Sequence, residues 1–286
     1  DLSLSLAMNK DVIAKLPNEA RQIINSDAKI INRLGSNALA NYLLVNKGVY
    51  ATDEDVPVNP ATGERMKAAN NKNNGYVYMQ AGDPIWVDVN GDYIIDDKDK
   101  VVVGNSQPRL TGGFNANLRY KSFSINTNFS FTIKRDIINK ALADRFAAYG
   151  NPLSKDLNGS GAITPIEAFD FWKEDHIYAK YPNPFDYIRG GTADHQVNFF
   201  RPDQTLFMED GSFLKINGVS ISYVLPKKVL DFLRVERVQL NASVNNIYTF
   251  SKYSGVNPEN VNSLGYDVSG GYPNSRNYTM GVSIDF

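Results

Sequence analysis

The chain has 286 residues, long enough to bury a core if it were one soluble domain. Its formal net charge of −1 gives no footprint for a nucleic acid or an anionic membrane surface, and the absence of cysteine excludes disulfides, thiolate metal sites and cysteine nucleophiles. No apolar run reaches the roughly 18 residues of a transmembrane helix.

The opening DLSLSLAMN alternates with period two, so Leu2, Leu4, Leu6 and Met8 share one face of a first strand. It starts without initiator Met or signal peptide, which is expected of a fragment that begins inside a fold. A long connection then runs from residue 9 to about 107. Within it, residues 88–99 read DVNGDYIIDDKD, with acidic or amide side chains at the first, third, fifth, ninth and twelfth places. That is the ligand order of an EF-hand-type calcium loop. Asp88, Asn90, Asp92, Asp96 and Asp99 would give side-chain oxygens and Ile94 a backbone carbonyl to a structural Ca²⁺. The alternative is an Asx-rich turn with its carboxylates solvated or capped by amides, and Tyr93 at the place of the usual Gly, with Asp99 for Glu, favours it. Both readings stay open.

The second strand, from Leu110, sets Phe114, Ala116, Leu118 and Tyr120 opposite Asn115, Asn117, Arg119 and Lys121. The third sets Phe123, Ile125, Phe129, Phe131 and Ile133 opposite Ser124, Asn126, Asn128, Ser130 and Lys134, and the short join makes a tight hairpin. A long connection, 135–210, follows. Its segment PIEAFDFWKEDH has helical spacing and carries Glu167, Asp170, Glu174 and Asp175, but helix surfaces carry such charges routinely. His176 and His195 are read as incidental, and no active site is expected. The aromatic FWK and YAKYPNPFDY stretches are expected to pack within the loop, with stacking on sugar rings as the alternative. A fourth strand presents Val219, Ile221, Tyr223 and Leu225 on its apolar face; LPKKVLDFLR then forms a short basic, amphipathic connection. A fifth alternates Val238, Leu240, Ala242 and Val244 with Arg237, Gln239, Asn241, Ser243 and Asn245. The sixth runs through Tyr278, Met280, Val282 and Ile284 to Phe286.

Alternating strands of this kind also build soluble β-sandwiches. Three features favour a membrane barrel. The polar faces are rich in Asn, Ser, Thr and Gln rather than Lys and Glu, as a water-filled lumen is. With antiparallel strands, the three long connections fall at one end and the two short ones at the other. The last strand keeps its alternation to a terminal aromatic, which resembles the signal read by the barrel assembly machinery. Since about eight strands are needed merely to fill a barrel with side chains, six strands imply a part of a larger one.

The chain resembles the SusC/RagA-like TonB-dependent outer-membrane transporters of Bacteroidetes. The matching stretches are NRLGSNALANYLLVNKGVY (32–50), GDPIWVDVNGDYIIDDKDKVVVGNSQPRLTGGFNANLRYKSFSI (82–125), MEDGSFLKINGVSISYVLPKKV (208–229), ASVNNIYTFSKYSGVNPE (242–259) and YPNSRNYTMGVSIDF (272–286). Residues 59–74 and 135–207 have no such match and read as free-form loops. The resemblance implies an all-β fold: residues 1–286 as the C-terminal portion of a transmembrane antiparallel barrel of about 22 strands, with long extracellular loops. The N-terminal plug and the earlier strands have no counterpart here. The resemblance further implies an importer, not an enzyme, in the outer membrane of a Gram-negative bacterium. Its implied partners are a SusD-like lipoprotein, the rest of the same barrel, the TonB complex acting through the plug, and oligosaccharide or peptide cargo; no organic cofactor is implied. Lumen-facing candidates are Asn115, Asn117, Arg119, Asn126, Asn128, Asn241 and Asn245, whose polar groups either bond cargo or only hydrate the wall. On this model LPKKVLDFLR is a periplasmic connection with its Leu and Phe packed under the rim. The remaining alternatives are a secreted, calcium-stabilised sandwich that binds carbohydrate and a passive porin.

Overall fold

The computed structural model describes residues 1–24, 30–38, 40–70, 75–149, 166–186, 188–190, 196–267 and 274–286. Its organising element is one antiparallel sheet of six strands paired in chain order. These are β1 (Leu2–Met8), β2 (Leu110–Tyr120), β3 (Phe123–Ile133), β4 (Phe213–Val224), β5 (Arg237–Ser251) and β6 (Asn277–Asp285). Each alternating stretch of the sequence is one of them. Tyr120 pairs with Phe123 across a two-residue turn, where Lys121 takes the left-handed backbone (φ 54°) that such a turn demands. Because the sheet is a meander, β1–β2, β3–β4 and β5–β6 connect at one end and β2–β3 and β4–β5 at the other. Long and short connections are therefore segregated. Among the described residues the sheet does not close on itself: β1 and β6 are its margins.

Register decides what each face presents. Leu2 and Leu4 lie beside Ala116 and Phe114, and Leu118 and Tyr120 beside Ile125 and Phe123. Ile125 and Phe123 in turn flank Ile221 and Tyr223, which flank Ala242 and Leu240. Those last two adjoin Met280 and Val282. One face is thus apolar across all the strands, and no second sheet covers it among the described residues: Met8 is 87% exposed, Tyr120 71% and Met280 88%. A sandwich would bury this face, at about 1.5–3 kcal/mol for each large side chain. Left open, it is far broader than a water-soluble monomer tolerates.

In β4 the apolar face is not the simple odd-numbered series. The pairing with β3 skips a residue between Gly218 and Ile216, so Asn217 is a bulge. β5 answers with Asn246 in the left-handed region (φ 55°), and Ile216 pairs with Tyr248. The extra residue moves Ile216 and Leu214 onto the apolar side with Phe129 and Phe131 and turns Lys215 to the polar side, beside Ser130. Gly112 serves the same surface: a Cβ there would stand 2.4 Å from the Phe131 ring and 2.5 Å from the Ser5 carbonyl.

The hydrophobic core lies elsewhere. The described residues within 40–102 and 137–207, which include most of the stretches expected to be free-form (59–74 and 135–207), fold together around packed clusters. In one, Trp86, Met79, Leu44 and Phe199 are buried with Ile95. In another, Phe146 sits at the centre of Phe169, Phe171, Tyr181, Phe200 and Phe207, three of their rings 4.8 Å from its own. Phe146 belongs to helix α1 (Lys140–Tyr149), which starts where the Asn139 side chain accepts the Leu142 amide. The expected helix in PIEAFDFWKEDH is absent among the described residues, which here begin at Ile166. After a short 3₁₀ turn (Ile166–Ala168), Phe169 and Phe171 enter this aromatic cluster at period two and Phe171 bridges to Tyr181. LPKKVLDFLR does form a helix, α2 (Lys227–Leu233), but no residue of it is buried and Phe232 is 86% exposed, so its apolar side does not pack under a rim.

Candidate functional site: a polar wall and the loop layer at its end

The polar face of the sheet is built from cross-strand rows. The first row runs Ser3, Asn115, Asn128, Gly218, Asn245, Asn277. The next joins Asn117, Asn126, Ser220, Ser243 and Thr279. A third joins Arg119, Ser124, Ser222, Asn241 and Gly281. All seven sequence-predicted wall residues therefore fall in these neighbouring rows, and each is exposed. Their side chains bond mainly along and across the wall: Asn115 Nδ2 donates to Ser3 Oγ at 3.4 Å, Gln239 Nε2 to Asn241 Oδ1 at 2.8 Å, and Arg119 Nε to Ser124 Oγ at 3.4 Å. Several amide groups in these rows are left facing solvent, which suits a wetted wall able to exchange hydrogen bonds with a polar solute. Towards the long-loop end, Lys215 pairs with Glu259 at 2.5 Å. Sequence alternation could not have placed Lys215 there, because the Asn217 bulge changes its side.

In the 88–99 loop the oxygens are engaged by the loop's own amides. Asp88 accepts from Gly91 and Tyr93, Asn90 from Asp92, Asp92 from Ile94, Asp96 from Lys98, and Asp99 from Val89 and Asp96. Tyr93 takes the left-handed backbone (φ 64°) at the place where such loops carry glycine, its ring packed against the main core cluster. Asp99 is fully buried, and burial raises its pKa against the pull of its amide donors. Among the described residues, no three His, Cys, Asp or Glu are grouped closely enough to hold a metal ion.

Two ion clusters tie the loops to one another. Arg189 forks onto Asp83 at 2.8 Å on both oxygens and also reaches Asp186. Lys100, with its side chain 1% exposed, meets Asp203 at 2.7 Å and Asp97 at 2.8 Å, while Arg201 forks onto Asp203 at 2.7 Å. His176 bonds Asp170 at 2.6 Å in an exposed pair; His195 lies outside the described residues.

No family model matches the chain. It is 26% identical to TonB-dependent receptor P3 of Formosa agariphila over 216 residues, 72% of this chain and 19% of that receptor. It is also 26% identical to TonB-dependent receptor SusC of Bacteroides thetaiotaomicron over 225 residues, 75% of this chain and 19% of SusC. The chain thus spans about a fifth of the length of these relatives. Its whole fold superimposes on 27% of a chain in the structure of the RagAB peptide transporter, with a TM-score of 0.68 at 20% identity. The open six-stranded sheet is accordingly a partial barrel.

Proposed function

We propose, from the premise that this chain is a SusC/RagA-like TonB-dependent receptor fragment, that its strands form the C-terminal wall of an outer-membrane import barrel. The remaining strands and a plug would come from the rest of the receptor, energy from the TonB complex, and a SusD-like lipoprotein would meet the loop layer. The cargo would be an oligosaccharide or peptide, moved without covalent chemistry. What supports this is the uncovered apolar face backed by rows of amides, the pattern of a sheet with lipid on one side and water on the other.

These 286 residues contain no cysteine, so once any cysteine in the rest of the receptor is replaced by serine, single introduced cysteines report alone. At Asn241 and Ser243 they should react with a hydrophilic maleimide in intact outer membranes; at Ala242 and Val244 they should react only after detergent. Equal labelling at all four would sink the barrel reading.

A structural Ca²⁺ in residues 88–99 belongs to the same proposal; the ligand spacing and the left-handed Tyr93 support it, and binding would have to draw together oxygens that here serve the loop's own amides. On it, EDTA opens this loop to protease and Ca²⁺ restores resistance. A turn held by its amides alone would ignore EDTA and open only on Asp88→Ala.

A further inference from the structure

One cavity in the loop layer is not needed by the wall. It encloses 510 Å³ between α1, the segment around Phe169 and Lys180, and the chain leaving β5. Three cations line it, Arg145, Lys180 and Lys252, each from a different one of these segments and each exposed. None of them makes an ion pair among the described residues. Three carboxylates line it as well, so the formal charge balances. The hydrogen-bonding capacity does not.

Glu209 already accepts from Asn139 Nδ2 at 2.9 Å and from the Ser254 amide and hydroxyl at 2.7 Å each. Asp267 accepts the Tyr253 hydroxyl at 2.5 Å, and Asp210 the Ser212 amide at 2.9 Å. Asp170, close to Lys180, is taken by the Lys180 amide and by His176. Glu209 is thus largely taken up by the protein and the aspartates in part, while the guanidinium and ammonium groups make no hydrogen bond or ion pair through their side chains among the described residues. Lys180 stands 4.9 Å over the Tyr181 ring, which orients it without consuming its donors. A guanidinium with two ammonium groups suits a carboxylate, which offers about four acceptor sites and matches the arginine fork.

From this arrangement we infer that the cavity binds a carboxylate-bearing oligomer through Arg145, Lys180 and Lys252. The inference rests on the import reading and specifies its cargo as acidic. An acidic peptide and a uronic oligosaccharide share the required chemistry.

The test uses the intact receptor in detergent, titrated calorimetrically with hexaglutamate, tetragalacturonate, and neutral tetraserine and maltotetraose. One acidic probe should bind and identify the source, with affinity falling as salt rises. Arg145→Gln, Lys180→Gln and Lys252→Gln should each weaken it about tenfold. Lys180→Arg should retain binding, and Lys227→Gln on α2 should change nothing. Neutral probes binding as well as acidic ones, neither acidic probe binding, or a triple Gln variant that binds like the wild type would each overturn the site. Those failures leave the cysteine labelling pattern of β5 intact, whereas failure of the import reading would show in that pattern.

Discussion

Asp203→Asn should loosen the loop layer by about 3–5 kcal/mol, the cost of removing one partner from a buried charge cluster. In the wild type, Asp203 is shared by Lys100 and by the Arg201 fork, and these join the connection before β2 to the one before β4. Asparagine keeps the shape but removes a charge that faces the Lys100 ammonium, in a place where water hardly reaches the lysine side chain. The readout is limited proteolysis and amide hydrogen exchange of residues 96–100 and 199–207. Faster exchange there, with the six strands still protected, is the expected result; unchanged protection would mean that the aromatic clusters alone hold the loops.

The same cluster sets a dependence on pH. Burial raises the Asp203 pKa, but Arg201 and Lys100 outweigh it and hold the carboxyl below its ordinary value of 3.8. A depressed folded pKa contributes stability that is complete above the unfolded value and lost as pH falls through the folded one. Asp83 runs the other way: burial lifts it to about 6, against the pull of Arg189, so acid favours the folded form until the unfolded value is passed. Below about pH 4 the Asp83 term is complete, while the Asp203 term still changes. There the wild-type loops should loosen, and Asp203→Asn should respond less.

The second large effect separates the two faces of one strand. Ala242→Arg places a cation between Ile221 and Met280, in the middle of the apolar face, and should cost about 2–4 kcal/mol if that face meets lipid. Ser243→Arg, one residue on, projects between Ser220 and Thr279 on the polar wall and should cost little. Receptor recovered in the outer membrane, and its melting in detergent, measure the difference. Equal tolerance would mean that the apolar face does not meet lipid and would remove the main support for transport. Double substitutions on the apolar face would add nearly independently only where the sites do not touch.

Much of this was legible before any coordinate was known. A strand's side chains alternate by local geometry, so Asn115, Asn117 and Arg119, or Asn241 and Asn245, could be assigned to one face from spacing alone. The two-residue turn at Lys121–Ser122 agrees with the structure, and the strands lie where the alternation runs, with ends that differ by up to three residues, as at Ser251. The helix expected in PIEAFDFWKEDH failed because Phe169 and Phe171 follow the demands of Phe146, more than 20 residues away, rather than those of their own neighbours.

The sequence by itself determined the six strands, their two faces and the segregation of long from short connections, since each of these depends on residues close along the chain. Only the tertiary structure decided which residues meet in the loops. The Lys100–Asp203 contact and the Phe146 cluster join segments whose patterns carry no mark of one another. It also decided the side taken by Lys215, because one bulged residue reverses every side chain beyond it.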